Sequence, residues 1–207
     1  MFGRLVLSSV VFLSLAGFAQ SQSLSGIRVG EVFASSAKPA QAPVATDEID
    51  GYALTKWKLP NGNYLSVTRR IDGDKIVYAE VDWDGSASGA VSDFAGFRFG
   101  ETTLADIRAK LGSNGFAFSN HVIKPMPDGS LMSFNSYEVE GSDTIVVFMT
   151  KTTAEGLKDL YEGNDVSRAG TLARLDALIL AQPEYLATNW GPDRIFDPNY
   201  VKIASPN

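Results

Sequence analysis

The chain has 207 residues, 44% of them apolar, no cysteine, and a formal charge of -6 from 18 basic and 24 acidic side chains. An acidic chain without a basic block is poorly suited to nucleic acid or to an anionic membrane surface, and the lack of cysteine excludes disulfides and thiolate chemistry. A chain of this size buries roughly 70% of the surface its unfolded form exposes, enough for one domain, or two small intimate ones, held together by apolar burial.

The N-terminal MFGRLVLSSVVFLSLAGFAQSQS has one basic residue, Arg4, then an apolar run from Leu5 to Phe18 broken by serines and a glycine, then small residues. This is the layout of a secretory signal peptide. Cleavage after Ala19 or after Ser21 satisfies the small-x-small rule, and about 14 apolar residues fall short of the roughly 20 that span a bilayer. Residues 1–21 are therefore expected to be removed, leaving a soluble periplasmic or secreted protein without membrane insertion. Loss of Arg4 takes the charge to 17 - 24 = -7. Residues 22–48, rich in Ala, Pro and Ser, read as a flexible tether. A single domain is expected over 49–207.

Strands follow. YALTKWKL (52–59) runs into Pro60-Asn61-Gly62-Asn63, and Asn-Gly between two such runs predicts a hairpin with a type I′ turn. YLSVTRRI then reaches Asp72-Gly73-Asp74, and KIVYAEVDW leaves it. A three-residue second turn puts Leu65, Val67, Ile71, Val77, Ala79, Val81 and Trp83 on one buried face. The other face then shows Ser66, Thr68, Arg70, Glu80 and Asp82, with the aromatic residues Trp57, Tyr64 and Tyr78 among them. Arg69 fits neither pattern.

LPNGNYLSVT (59–68) returns as MPDGSLMSFN (126–135). Setting Pro60 against Pro127 matches Gly62 with Gly129, Leu65 with Met132 and Val67 with Phe134. After a two-residue insertion Ile76 meets Ile145 and Ala79 meets Phe148. Both copies lead to a Thr-Thr pair and a helix. The predicted fold class is therefore α+β: an antiparallel sheet built from two similar strand-strand-strand-helix units, about 52–112 and 116–163, with extra C-terminal helices. The competing explanation of the likeness is shared turn chemistry.

In the first helix Thr103 is placed to cap, with Asp106 as the capping-box acid, Leu104, Ile107 and Leu111 on one face, and Gly112 as the left-handed terminus. Thr171–Ala181 (TLARLDALILA) also shows helical spacing through Leu172, Leu175 and Ile179. Pro183 ends or restarts it, EYLATNW adds a short helix, and Tyr200–Ile203 reads as an edge strand.

The pattern in FRFGETTLADIRAKLG, carried by Gly100, Thr102, Ile107, Leu111 and Gly112, resembles the motif of the SmpA/OmlA (BamE-like) family and the beta-lactamase-inhibitor-like fold that shares its topology. The likeness covers about 50 residues. The helix segment is one residue longer, no proline follows Leu-Gly, and the lipid-anchored cysteine is absent. The resemblance implies a small α+β module that holds other envelope proteins.

His121 is the only histidine, so a triad or multi-histidine metal site has to pass through it; a packing role is the simpler expectation. DGD (72–74) and DWDG (82–85) offer oxygens, but Ala87 and Asp93 fall where a calcium loop needs Gly and Glu. Solvated turn acids are expected there. No nucleotide-binding or nucleophile-elbow motif occurs. No catalytic residue, metal ligand or cofactor is assigned. Three functions are carried forward: a binding or inhibitor-like module contacting another envelope protein through Trp57, Tyr64 and Tyr78; a hydrolase using a carboxylate pair in a cleft between the repeats; and a structural envelope protein.

Overall fold

The computed structural model describes residues 22–206; the expected signal peptide lies outside them. In chain order the strands are β1 (Ala45–Ile49), β2 (Tyr52–Lys58), β3 (Tyr64–Arg70), β4 (Ile76–Asp82), β5 (Ala90–Val91), β6 (Arg98–Phe99), β7 (Phe116–Phe118), β8 (Ile123–Pro125), β9 (Leu131–Glu138), β10 (Ile145–Thr152), β11 (Arg174–Ala181) and β12 (Arg194–Phe196). The α-helices are α1 (Leu104–Leu111), α2 (Ala154–Glu162), α3 (Ala169–Leu172) and α4 (Pro183–Trp190). The fold is α+β. Its main sheet is antiparallel, with order β1-β2-β3-β4-β11-β10-β9-β7-β12 and β8 also on β9; β5 and β6 form a separate pair.

The recurring Pro-Asx-Gly stretches build the same turn. The Leu59 carbonyl accepts from Gly62 N–H (3.0 Å) while Leu59 N–H donates to the Asn63 carbonyl (2.8 Å); Met126 does the same with Gly129 (3.0 Å) and Ser130 (2.9 Å). Asn61 Oδ1 accepts from Asn63 N–H, and Asp128 Oδ1 from Ser130 N–H. Gly62 and Gly129 take φ of 92° and 79°, but Asn61 stays at negative φ. The expected type I′ turn is therefore replaced by a turn with a single left-handed glycine, because the ring of Pro60 fixes a negative φ at the first central position. The true two-residue type I′ hairpin is Asp50-Gly51, φ 49° and 80°, which joins β1 to β2.

Each turn joins the first two strands of a run that leads to a helix: β2-β3-β4, then α1 after the short β5–β6 pair, and β8-β9-β10 then α2. The aligned Tyr64 and Leu131 both begin strands, as do Ile76 and Ile145. Their faces differ, however. Val67 and Ala79 are register partners and lie in one core cluster with Phe148, whereas Phe134, paired with Met149, lies in the cluster on the opposite face. The expected matching of inward positions fails at the Val67–Phe134 column, because the two hairpins differ by one residue in register.

β11 corrects the sequence reading most. The segment expected as a helix is the strand that joins the two runs, paired to β4 on one side and β10 on the other. Leu175, Leu178 and Leu180 enter one core cluster, and Ile179 and Ala181 the other. A strand buried on both faces reads as a continuous apolar run, in which helical spacing is satisfied by default. Only Thr171 and Leu172 of the expected helix are helical, in α3, while the short helix expected after Pro183 is α4. The expected edge strand at Tyr200–Ile203 reduces to one parallel bridge, Val139 to Ile203.

The expected tether is also partly core. Leu24 and Ile27 are fully buried beside Ile76 and Leu65, and Gly30 and Glu31 bond the backbone of Ile76. Apolar side chains spaced three apart are enough to pin this segment, whereas residues 40–44 stay exposed. Ile71, expected inside, is 47% exposed because it leaves β3 at the turn. The Arg69 misfit has a cause: a register shift after Thr68 swings its side chain onto Asp74 (2.8 Å) and over the ring of Phe33.

α1 forms as its sequence dictates. Thr103 accepts from Asp106 N–H, Asp106 accepts from Thr103 N–H, and Gly112 closes the helix at φ 62°. Thr103→Ala is expected to cost about 1 kcal/mol. Phe148, fully buried against Phe97, Phe94 and Tyr137, should cost about 3–5 kcal/mol as Phe148→Ala. Urea melts at constant m-value measure both.

Candidate functional site

The face of β2, β3 and β4 turned away from Leu65 and Ala79 differs from the rest of the sheet. Antiparallel register sets it: Lys56, Ser66 and Glu80 form one row, and Lys58, Tyr64 and Asp82 the next. Thr68 and Tyr78 lie opposite each other in a third. α4 reaches over one end, where Tyr185 packs on Tyr78 (5.5 Å between centroids) and on Tyr52 (5.2 Å). Tyr52, Tyr64, Tyr78 and Tyr185 are all partly exposed, and Ser66 and Thr68 are buried between them.

Of the three aromatic residues predicted to share this face, two do. Trp57 does not: it is the register partner of Leu65, is 2% exposed and packs in the core against Phe33. The five-residue span from Leu59 to Asn63 that closes the turn fixes that pairing, and counting strand positions through the turn misplaced it by one. Tyr64 lies beneath Lys56 (5.0 Å) and Lys58 (5.8 Å). Tyr78 donates to Glu80 Oε2 at 2.7 Å.

The carboxyls are in contrasting states. Burial, and then the charge of Asp82, push Glu80 up to about 8, against the opposing pull of Tyr78 and Lys56. Asp82 pairs with Lys56 at 3.2 Å. Burial, followed by Glu80, raises the Tyr78 hydroxyl well above its usual range. Burial also raises Asp176, on β11 beside Asp82 and Lys151. The cluster therefore holds a carboxyl that burial keeps protonated at neutral pH next to one paired with a lysine, the arrangement that divides acid from base roles.

Sequence reading missed Tyr52, Lys56, Asp176 and Tyr185. The period-two pattern could have placed Lys56 opposite Ser66, but no local signal brings α4 over β4. The other singled-out residues are structural. His121 stacks on Trp190 at 4.6 Å and 11°, edge-on to Phe134, and burial lowers its pKa. Asp84 Oδ1 accepts from Ser86 N–H and Oγ, fastening its turn. Gly100, at φ 69°, faces the ring of Trp83, which a Cβ would meet at 2.4 Å. Its N–H donates to Leu175, and Leu175 N–H to Thr102. The Gly-x-Thr motif thus ties α1 to β11.

Glu80 makes stability pH-dependent with a definite sign. Its folded pKa lies above the unfolded value, so between about pH 4.5 and 8 the native state binds more protons and this group lowers stability as pH rises. Glu80→Gln keeps the acceptor for Tyr78 and should flatten that part of the wild-type slope. Its gain over wild type should grow from pH 5 to pH 8 in urea melts. A difference independent of pH would contradict the assignment.

No family model matches the chain, and no curated protein or solved structure matches it.

Proposed function

We propose that the chain is a protein-binding module of the cell envelope, exported by its N-terminal segment, and that it meets its partner through Tyr64, Tyr78, Tyr52 and Tyr185. The carrying observation is the composition of this face. Partly exposed tyrosines from β2, β3, β4 and α4 stand among Lys56, Lys58, Arg70, Glu80 and Asp82. Tyrosine supplies large contact area at low entropic cost, and tyrosine with charged neighbours is enriched at binding surfaces. The resemblance of Gly100–Gly112 to SmpA/OmlA-type modules accords with such a role. No described helix is long and apolar enough to cross a membrane.

A second reading has one observation in its favour. Glu80, kept protonated by burial, stands two residues from Asp82 on β4, with Asp176 on the neighbouring β11, a set of carboxyls that suits general acid–base hydrolysis. Tyr64→Ala separates the two. Under the binding reading, the immobilised full chain retains an envelope protein, and retention falls at least about tenfold in Tyr64→Ala with the urea midpoint kept. Equal retention by both forms, or none above blank resin, rejects it. Turnover lost in Glu80→Gln yet kept in Tyr64→Ala supports hydrolysis instead.

A further inference from the structure

We propose that Lys56 and Asp82 condense into an intramolecular amide, a covalent staple across β2, β3 and β4 that needs no other reactant. Lys56 Nζ lies 3.2 Å from Asp82 Oδ2. The two residues stand on strands that do not pair with each other, since β3 runs between them. They reach across beside Ser66, the register partner of both Lys56 and Glu80, whose short side chain is itself buried.

A third group separates this pair from an ordinary surface ion pair. Glu80 projects from the same face of β4, two residues before Asp82, and the Tyr78 hydroxyl holds it at 2.7 Å. The Tyr64 ring shields the ammonium from one side. Glu80 keeps its proton at neutral pH, the state a proton relay requires. In the condensation Nζ first passes one proton to Asp82 Oδ2 across the 3.2 Å contact, leaving an amine and a carboxylic acid; the freed lone pair attacks Asp82 Cγ, a C–N bond forms and one C–O bond breaks. The oxygen leaves as water carrying the two protons lost by the ammonium: Glu80 gives its proton to the departing oxygen and takes one from Nζ. A cation and an anion become a neutral amide, and nothing is oxidised or reduced.

The side chains are 35% and 33% exposed, so water reaches them. Well-oriented intramolecular groups, however, react at effective concentrations of about 10⁵–10⁸ M, far above that of the competing water. Removing two opposite charges from a partly desolvated site adds to the drive. Lys151 and Asp128, 2.8 Å apart, offer the internal contrast. Asp128 is 56% exposed in its turn, and Lys151 and Ser130 hold it well below the usual carboxylate range, so that pair stays ionic.

Denaturing mass spectrometry of the purified full chain, with a tryptic map, tests this directly. The expected chain is lighter by one water than its sequence from the observed N-terminus. Trypsin then fails to cut after Lys56, whose peptide stays joined to the one holding Asp82. Glu80→Gln should restore the full mass, and Asp82→Asn should lose ammonia in place of water. A wild-type chain of full mass, cleaved after Lys56, overturns the proposal whether or not the variants fold. Unchanged condensation in Glu80→Gln overturns the relay.

Discussion

The structure depends on the double burial of β11. This strand arrives late in the chain, yet it lies between β4 and β10 and joins the two runs of strands into one sheet. Both its faces are core: Leu175, Leu178 and Leu180 close one cluster, Ile179 and Ala181 the other. From Ala177 to Ala181 every residue is buried, so this part of the strand has no solvent side on which polar residues are tolerated, and its polar residues, Arg174 and Asp176, fall at the start. Pairing segments so far apart in sequence also means that loop-closure entropy is met before the central contacts form. The Gly-x-Thr turn before α1 bonds the start of β11, so the helix and the central strand are fixed by one set of backbone hydrogen bonds.

The polar face follows from where the covering layers run short. One side of the sheet is closed by Leu24, Ile27, Phe94, Phe97, Phe99 and Ile107. The other is closed over its second half by Leu186 and Trp190 of α4, which pack in one cluster with Phe116 and Phe118 of β7. α4 is only two turns long, and it packs on β4 through Tyr185. Under that edge Glu80 is dry enough to stay protonated but near enough to Asp82 and Lys56 to exchange charge with them. Either binding or proton transfer draws on the same feature: titratable groups at the margin of a core.

How much of this was legible varies with the range of the interaction that decides each element. The capping box at Thr103 and Asp106, the Gly112 terminus and the meander of β2, β3 and β4 rest on neighbours within a few residues, and each formed as the sequence reads. Two of the three nominated aromatic residues share the site face, because alternation along β3 and β4 is itself local. Trp57 went astray where a turn intervened and one residue of register changed its face. β1 was missed although Asp50-Gly51 announced its hairpin, since ATDEI is wholly exposed and carries no apolar alternation.

What the sequence by itself determined is the set of elements whose physics is short-ranged: the acidic, cysteine-free α+β chain, the repeated Pro-Asx-Gly turn, the capped helix and the polar side of β3 and β4. Tertiary structure alone decided the rest. TLARLDALILA carries an apolar pattern that a helix and a doubly buried strand satisfy equally, and only the open backbone edges of β4 and β10 made it a strand. Leu24 and Ile27 look like part of a tether until a core with room for them exists. The site follows the same rule, because Glu80 is an ordinary carboxyl in the sequence and becomes a neutral one only when folding removes its water and sets Asp82 beside it.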